Sequence, residues 1–252
     1  MYPIHIILVG PQHPGNIGSA ARAMKTMGLA HLSLVAPECF PHRQADAMAA
    51  GADDVLANAR VVASLADALT DCGLVLGCTA RSRYVPMPEY APREAASRLL
   101  DASRSAPVAL VFGRERTGLT NEELQRCHGA VHIPSVAEFS SLNLAAAVQV
   151  LSYELRLASL ADTAPAAVDV AGAAPDPDAE PASHGELEGM FAHLDRALDA
   201  IDFHKGRPSQ MVMQRLRRMF MRTQMQRREV RIVHGILADT ERMARLAAGS
   251  GS

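Results

Sequence analysis

Short apolar runs alternate with helical patterns through the first 160 residues, and that alternation is the signature of a parallel sheet built from βαβ units. The runs are Ile4–Val9, Leu32–Val35, Arg60–Val62, Leu74–Gly77, Val108–Phe112 and Ala130–Ile133. They are continuously apolar rather than alternating, which predicts strands covered by helices on both faces. Helices are expected near Ile17–Met27, Gln44–Ala49, Leu65–Thr70, Arg93–Ala102 and Asn121–Cys127, with a longer one from about Leu142 to Leu157. The fold class is therefore α/β.

The remaining residues read differently. Residues 161–183 contain four prolines, nine alanines and no aromatic residue. Such a segment buries too little apolar area to offset its ordering entropy and is expected to be a flexible linker. Beyond it, Leu187, Met190, Phe191, Leu194, Leu198 and Ile201 recur at helical spacing. Met211, Val212, Leu216, Met219 and Phe220 make a second such set, and Val230, Val233, Ile236, Leu237 and Met243 a third. Gly206-Arg207-Pro208 followed by Ser209 marks a stop, a breaker and a new N-cap. Residues 184–248 are thus expected to form a small all-α domain after a sheet domain of residues 1–160.

The net charge of −2 conceals an asymmetry. Residues 1–160 hold 13 Lys/Arg against 14 Asp/Glu, residues 161–204 hold 1 against 10, and residues 205–252 hold 11 against 3. The basic tail is the electrostatic footprint expected of a nucleic-acid contact, and equally that of a solvated Arg-rich helix face. No run approaches the ~20 continuous apolar residues of a membrane span. The N-terminus enters a core strand directly, without a leader's basic-then-apolar layout. Cys39, Cys72, Cys78 and Cys127 form no CxxC pair. Reduced thiols in the cytoplasm are the expectation, not disulfides or zinc.

Three polar loops interrupt the apolar pattern where strands should end: Gly15–Arg22, Phe112–Thr120, and Ile133-Pro134 leading to Ser140–Val148. Ligands of open α/β sheets bind outside the carboxyl ends of the strands, so the three predict one composite site. Gly10 to Gly15 matches the GxxxxG frame of a phosphate loop, but Asn16 and Ile17 stand where Lys and Ser/Thr are needed. A GxGxxG dinucleotide fingerprint is absent too. Arg114-Glu115-Arg116 sits between Gly113 and Gly118, and Arg81 and Arg83 follow Cys78-Thr79-Ala80. Arginine suits bidentate phosphate recognition. Ser140 or Ser141 is expected to cap the long helix, with Asn143 inside its first turn. His128 and His132 lack supporting ligands, so no metal is expected. No nucleophile–histidine arrangement stands out.

Asn16-x-Gly18-x-x-x-Arg22, the Phe112–Thr120 loop, and Ile133-Pro134 followed by Ser141-Leu142-Asn143-Leu144 resemble the three motifs of the SPOUT methyltransferases. Asn16–Gly28 and Phe112–Glu123 look most like the bacterial tRNA (cytidine/uridine-2′-O-)-methyltransferase J family. The resemblance implies a deep trefoil knot at the C-terminal end of the sheet domain, a homodimer, and S-adenosylmethionine as methyl donor. It also implies the 2′-hydroxyl of nucleotide 32 in the tRNA anticodon loop as acceptor. Carried over by position, the cofactor contacts are Cys78, Thr79, Ala80, Gly113, Ile133, Ser140, Ser141 and Leu142. The catalytic group is Arg22 with Asn16, Glu115 and Asn143, and the RNA contacts are Arg81, Arg83, Arg114 and Arg116. Arg22 is open to two roles, orienting the phosphate beside the ribose or accepting the hydroxyl proton. A bulky residue at Gly113 is expected to obstruct the cofactor while sparing the sheet. A related enzyme acting on ribosomal RNA, or a non-catalytic RNA-binding protein, are the alternative readings.

Overall fold

The computed structural model describes residues 3–80, 87–136, 138, 140–162 and 180–249. The chain divides into two compact units, Met1–Ala171 and Gly172–Ser252. The first is a sheet sandwiched between helices. Its strands are β1 (Ile4–Val9), β2 (His31–Val35), β3 (Arg60–Val62), β4 (Leu74–Cys78), β5 (Glu89–Tyr90), β6 (Val108–Phe112) and β7 (Gly129–Val131). All six pairings are parallel and the order is β3-β2-β1-β6-β4-β7-β5.

The continuous apolar runs have the cause expected of them. Along β1, Ile4, Ile6 and Leu8 enter one core while Ile7 and Val9 enter another. Along β6, Val108, Leu110 and Phe112 join the first core and Ala109 and Val111 the second. The first core is closed by α1 (Pro14–Thr26), α2 (Arg43–Ala49), α3 (Asp53–Ala57), α5 (Pro92–Ala102) and α7 (Leu144–Asp162). The second is closed by α4 (Leu65–Leu69) and α6 (Asn121–Gln125). A strand with helices on both sides has no polar face, so its sequence shows no alternation.

Two short elements escape the sequence reading. Strand β5 is two residues of mixed polarity, visible only once Glu89 and Tyr90 register with Ala130 and Val131 of β7. Helix α3 is five residues, too short for a periodicity signal. Strand β7 ends at Val131, two residues earlier than expected, although His132 N–H still donates to the Tyr90 carbonyl of β5 at 3.1 Å. Helix α7 is apolar and long enough, by length and composition only, to cross a membrane. Its Leu144, Ala147, Val148, Leu151 and Leu155 are instead buried in the first core, and it packs against α1 and α5.

At the β6-β4-β7-β5 edge, β7 lies between β4 and β5, and β4 lies between β6 and β7. The neighbouring strands β4 and β6 are parallel, so their C-terminal ends lie on the same edge of the sheet.

The second unit contains α8 (His184–Ala200), α9 (Gln210–Met221) and α10 (Arg227–Gly249). Its core is Leu187, Met190, Phe191, Met221, Met225 and Val230, continued by Leu194, Ala197 and Leu237. Arg217 forks onto Glu188, at 2.8 Å through Nη2, and its guanidinium lies 4.4 Å from the Phe191 ring centroid. The structure trims the expected linker at both ends. Ala161 and Asp162 finish α7, where Asp162 pairs with Arg104. At the other end Ala182 N–H donates to the Met225 carbonyl, and Ser183 caps α8 in a capping box with Glu186. Residues 163–179 of that expected linker lie outside the described residues. Ser209 stands at the N-cap of α9 as expected, but without a side-chain capping bond.

Candidate active site

The three loops do meet. A cavity of about 340 Å³ opens at the carboxyl ends of β4 and β6. Cys78, Thr79 and Ala80 line it from β4 and its exit, Gly113 to Leu119 from the loop after β6, Ile133 from the segment after β7, and Ser140, Ser141 and Leu142 from the entry to α7. All eight residues assigned to the cofactor therefore face one cavity. Apolar atoms of Phe112, Leu119, Leu142 and Leu144 supply much of its wall.

Glycine is required where the loop after β6 folds back on itself. Gly118 N–H donates to the Arg114 carbonyl at 2.8 Å, and Gly118 adopts φ +66°. A Cβ on Gly113 would stand 2.1 Å from the Gly118 carbonyl carbon. The expectation that Gly113→Val spares the fold is thereby overturned. The side chain would collide with backbone before it reached any ligand.

The polar residues of the three motifs form one hydrogen-bonded chain. Glu115 Oε1 accepts from Asn16 Nδ2 at 2.9 Å and from His13 N–H at 3.1 Å, and Oε2 accepts from Gln12 N–H at 3.0 Å. An ionised carboxylate only accepts, so Asn16 must present its amide NH₂. The Asn16 oxygen is then left to accept, and it does so from Asn143 Nδ2 at 3.0 Å. The Asn143 oxygen in turn accepts from Ala145 N–H at 2.9 Å and Ala146 N–H at 3.3 Å, at the start of α7. The charge on Glu115 thus sets the direction of every bond in a chain that ties the loop after β6 to α1 and α7. Desolvation opposes that charge, but the bonds from Asn16, Gln12 and His13 outweigh it and hold the carboxyl below its ordinary pKa.

This chain also explains the failed phosphate loop. The amides of Gln12 and His13 are the donors such a frame would offer an anion, and Glu115 occupies them. It corrects the expected cap of α7 as well. Asn143, not Ser140 or Ser141, caps that helix, which begins only at Leu144.

The arginines separate. Arg114 folds inward, its Nη1 donating to both carboxylate oxygens of Glu123 at 3.0 and 3.1 Å, and Glu123 also closes the capping box of α6 with Thr120. Arg116 is exposed at the cavity mouth. Arg22 lies on the exposed face of α1 and does not line the cavity. Among the described residues its guanidinium has no hydrogen bond or ion pair, so it is not the ordinary surface pair that a lone Arg suggests. Arg81 and Arg83 lie outside the described residues. Burial pushes the Cys78 thiol up to about 12, so it meets the cavity as a neutral group. His132 Nδ1 is 3.2 Å from the Thr79 carbonyl.

Residues 3–153 match the SpoU rRNA methylase family. The chain belongs to that family. Residues 185–249 match the C-terminal domain of tRNA methyltransferase TrmJ, which places this SpoU protein in the TrmJ branch. It is 50% identical over 244 residues to the tRNA (cytidine/uridine/adenosine-2′-O-)-methyltransferase TrmJ of Pseudomonas aeruginosa, covering 96% of this chain and 95% of that protein. It is 47% identical to the tRNA (cytidine/uridine-2′-O-)-methyltransferase TrmJ of Sodalis glossinidius, over 96% of this chain and 92% of that one. The crystal structure of TrmJ from Z. mobilis ZM4 superposes with a TM-score of 0.79 at 34% identity, covering 94% of this chain and 98% of that one. A structure described as giving insights into 2-OH methylation of C/U34 on tRNA matches with a TM-score of 0.52 at 27% identity. It covers 97% of that chain but only 63% of this one.

Proposed function

We propose that this SpoU-family chain methylates the ribose 2′-hydroxyl of cytidine or uridine at position 32 of the tRNA anticodon loop. The observation that carries this reading is the cavity at the ends of β4 and β6, walled by all three motif loops and clasped by Glu115, Asn16 and Asn143. S-adenosylmethionine is the methyl donor. The residues present suit it, because a cavity of about 340 Å³ is in the range of small-molecule sites, roughly 300–1,000 Å³, and offers apolar walls with backbone polar groups. Cys78, Thr79, Ala80, Gly113, Ile133, Ser140, Ser141 and Leu142 would hold it. When bound, the donor supplies a methyl group on a positively charged sulfur.

The chain's own contribution is positioning and charge. Glu115, Asn16 and Asn143 hold the loop after β6, α1 and α7 in register, so the hydroxyl meets the methyl along one line. Arg22 orients and neutralises the phosphate beside the reacting ribose, a role that its planar guanidinium fork suits. Arg116 at the cavity lining contacts the RNA, Arg114 acts through its pair with Glu123, and Arg81 and Arg83 remain RNA contacts by the resemblance alone.

The trefoil knot, the homodimer and the cytoplasm belong to this proposal. The strand order, with β7 between β4 and β5 and β4 between β6 and β7, supports the knot. Two features support the dimer: Arg22 does not line the cavity of its own chain, and α7 leaves Tyr153, Leu157 and Leu160 exposed. Residues 184–248, with exposed Arg215, Arg222 and Arg228, supply RNA affinity or brace the dimer. Position 32 follows from the family resemblance; the structure described for C/U34 methylation is matched over 97% of its length by 63% of this chain, and so has no counterpart to a large part of it. Incubation with unmodified tRNA transcripts and S-adenosylmethionine, then nuclease digestion and mass spectrometry, tests the reading. Methyl groups at residue 32 are expected. Methylation at residue 34 instead, or of ribosomal RNA alone, overturns it. Transcripts with adenosine 32 decide whether the wider base range in the Pseudomonas relative's name extends to this chain.

A further inference from the structure

We infer that His132 is a positioning residue for the cofactor: its imidazole holds the Thr79 carbonyl, and with it the loop after β4, in the arrangement that receives S-adenosylmethionine. This rests on the cofactor reading of the cavity given above and adds a residue from behind the cavity wall. The starting point is the pair His128 and His132, four positions apart. Among the described residues no group of three His, Cys, Asp or Glu could hold a metal ion, so the two rings serve another purpose.

The two histidines bracket β7, which is only three residues long. Its ladder with β4 pairs Leu76 with Gly129, Gly77 with Ala130 and Cys78 with Val131. One backbone bond follows at each end: His128 N–H donates to the Val75 carbonyl at 2.8 Å, and Thr79 N–H donates to the Val131 carbonyl at 3.0 Å. The rings supply the next bond. Val75 N–H donates to His128 Nδ1 at 3.0 Å, and His132 Nδ1 meets the Thr79 carbonyl oxygen at 3.2 Å. A carbonyl oxygen only accepts, so His132 Nδ1 carries a proton, whereas His128 Nδ1 is bare. Each imidazole thus prolongs a short ladder by one side-chain bond.

The two ends differ in what they border. Val75 is buried in the second core, so the His128 bond serves folding. Thr79 lines the cavity between Cys78 and Ala80, and Ile133, the residue after His132, lines it from the other segment. The His132 bond therefore joins two cofactor-lining segments at the point where both leave the sheet. His132 is itself anchored, since its N–H donates to the Tyr90 carbonyl at 3.1 Å. Thr79 and His132 are both half-buried, where a hydrogen bond is stronger than in water. A loop released from this bond samples more arrangements, and apparent affinity falls with the fraction of molecules in the receptive one. Once the donor is bound, the arrangement is restored and the transfer step does not call on His132. The signature is weaker cofactor binding with an unchanged rate at saturation.

Two substitutions separate the bond from the bulk of the ring. Asparagine carries its Nδ2 donor on Cγ, as histidine carries Nδ1, so His132→Asn keeps the donor with less volume. His132→Phe keeps a ring and has no donor. In the full-length protein His132→Phe is expected to raise the dissociation constant of S-adenosylhomocysteine, by calorimetry, about 3- to 10-fold. KM for S-adenosylmethionine should rise by a similar factor, while kcat at saturating donor and KM for tRNA stay within about 2-fold of wild type. His132→Asn should restore cofactor affinity to within about 2-fold. Circular dichroism at the assay temperature checks folding, and His132→Leu replaces His132→Phe if the latter does not fold. Wild-type cofactor affinity in the folded donorless variant overturns the proposal. So does an equal loss in His132→Asn, which assigns the effect to ring volume, or a fall in kcat with affinity unchanged. The calorimetry needs no RNA, so an error in the tRNA acceptor leaves it standing. If the wild-type protein binds no S-adenosylhomocysteine, the cofactor reading itself fails and this inference with it.

Discussion

The two units of the chain use charge in opposite ways. The sheet unit is nearly neutral and confines its functional charges to loops, where Glu115, Arg114 and Glu123 are bound in fixed directions. The helical unit, Gly172–Ser252, is also nearly balanced as a whole, with 12 Lys/Arg against 11 Asp/Glu, but it segregates its charge. Residues 205–252 hold 11 basic against 3 acidic residues, and several of the basic ones are spent internally. Arg217 serves Glu188, Arg227 serves Glu180 and Glu186, and Arg242 serves Asp239. The same contrast holds for packing. In the sheet unit backbone approaches backbone so closely that Gly18 and Gly113 admit no side chain, whereas Gly189 and Gly235 of the helical unit have nothing within 4 Å of a added Cβ. One unit works by geometry and the other by solvent-facing charge, so the two should respond to different perturbations.

The largest effect should come from breaking the geometry. Gly113→Val is expected to destabilise the sheet unit by about 3 kcal/mol or more through overpacking, with a large fall in melting temperature and no measurable cofactor binding. A native-like melt would show that the loop after β6 relaxes more readily than its contacts imply. Arg22→Ala should next lower methylation about 10²- to 10³-fold while leaving S-adenosylmethionine affinity by calorimetry unchanged. Arg22→Lys should recover little of this, because a point charge does not replace a planar fork. Full turnover by either variant removes Arg22 from the mechanism.

Glu115 gives the contrast a pH signature. Its folded-state pKa lies below the unfolded value, so its stabilisation is complete above about pH 4.5. That stabilisation is lost as pH falls through the lower folded value. Glu115→Gln should cost about 1–3 kcal/mol at pH 7 through unsatisfied donors, and the difference from wild type should shrink in acid. A difference independent of pH would mean that the carboxylate's charge does not organise the clasp.

Removing the second unit should act mainly through salt. A chain ending at Ala171, the limit of the first unit, should bind cofactor as before, bind tRNA more weakly, and show a shallower dependence of log K on log salt. Because internal pairs consume part of the surplus, the slope should fall by fewer than eight counterions. An unchanged slope would assign the helical unit to dimer bracing. The smallest effect should be Gly189→Ala, a gain of about 0.5–1 kcal/mol from replacing glycine inside an uncrowded helix.

What could be read without coordinates followed from local chemistry. The strands of the sheet were visible because burial on both faces leaves an unbroken apolar run, as in Val108–Phe112. The place of the cavity was visible because small and polar residues at strand ends have no packing role to disguise them, whereas the eight residues assigned to the cofactor came from the resemblance. Short β5 and α3 were not, since two or five residues carry no period. Nor could the sequence tell which arginines were engaged: Arg114 and Arg116 look alike in the chain, and only the fold brings Glu123 to the first and leaves the second exposed.

The sequence alone determined the α/β class, the helical tail, the asymmetry of charge and the place of the site at the strand ends, because each depends on residue type and spacing within one segment. Tertiary structure decided the rest. Asn16, Glu115 and Asn143 are separated by 99 and 127 positions along the chain from their partners in the clasp, and no local pattern states that a carboxylate from one loop will fill the anion cradle of another. Only closure of the sheet brings those loops together, and with them the direction of each hydrogen bond.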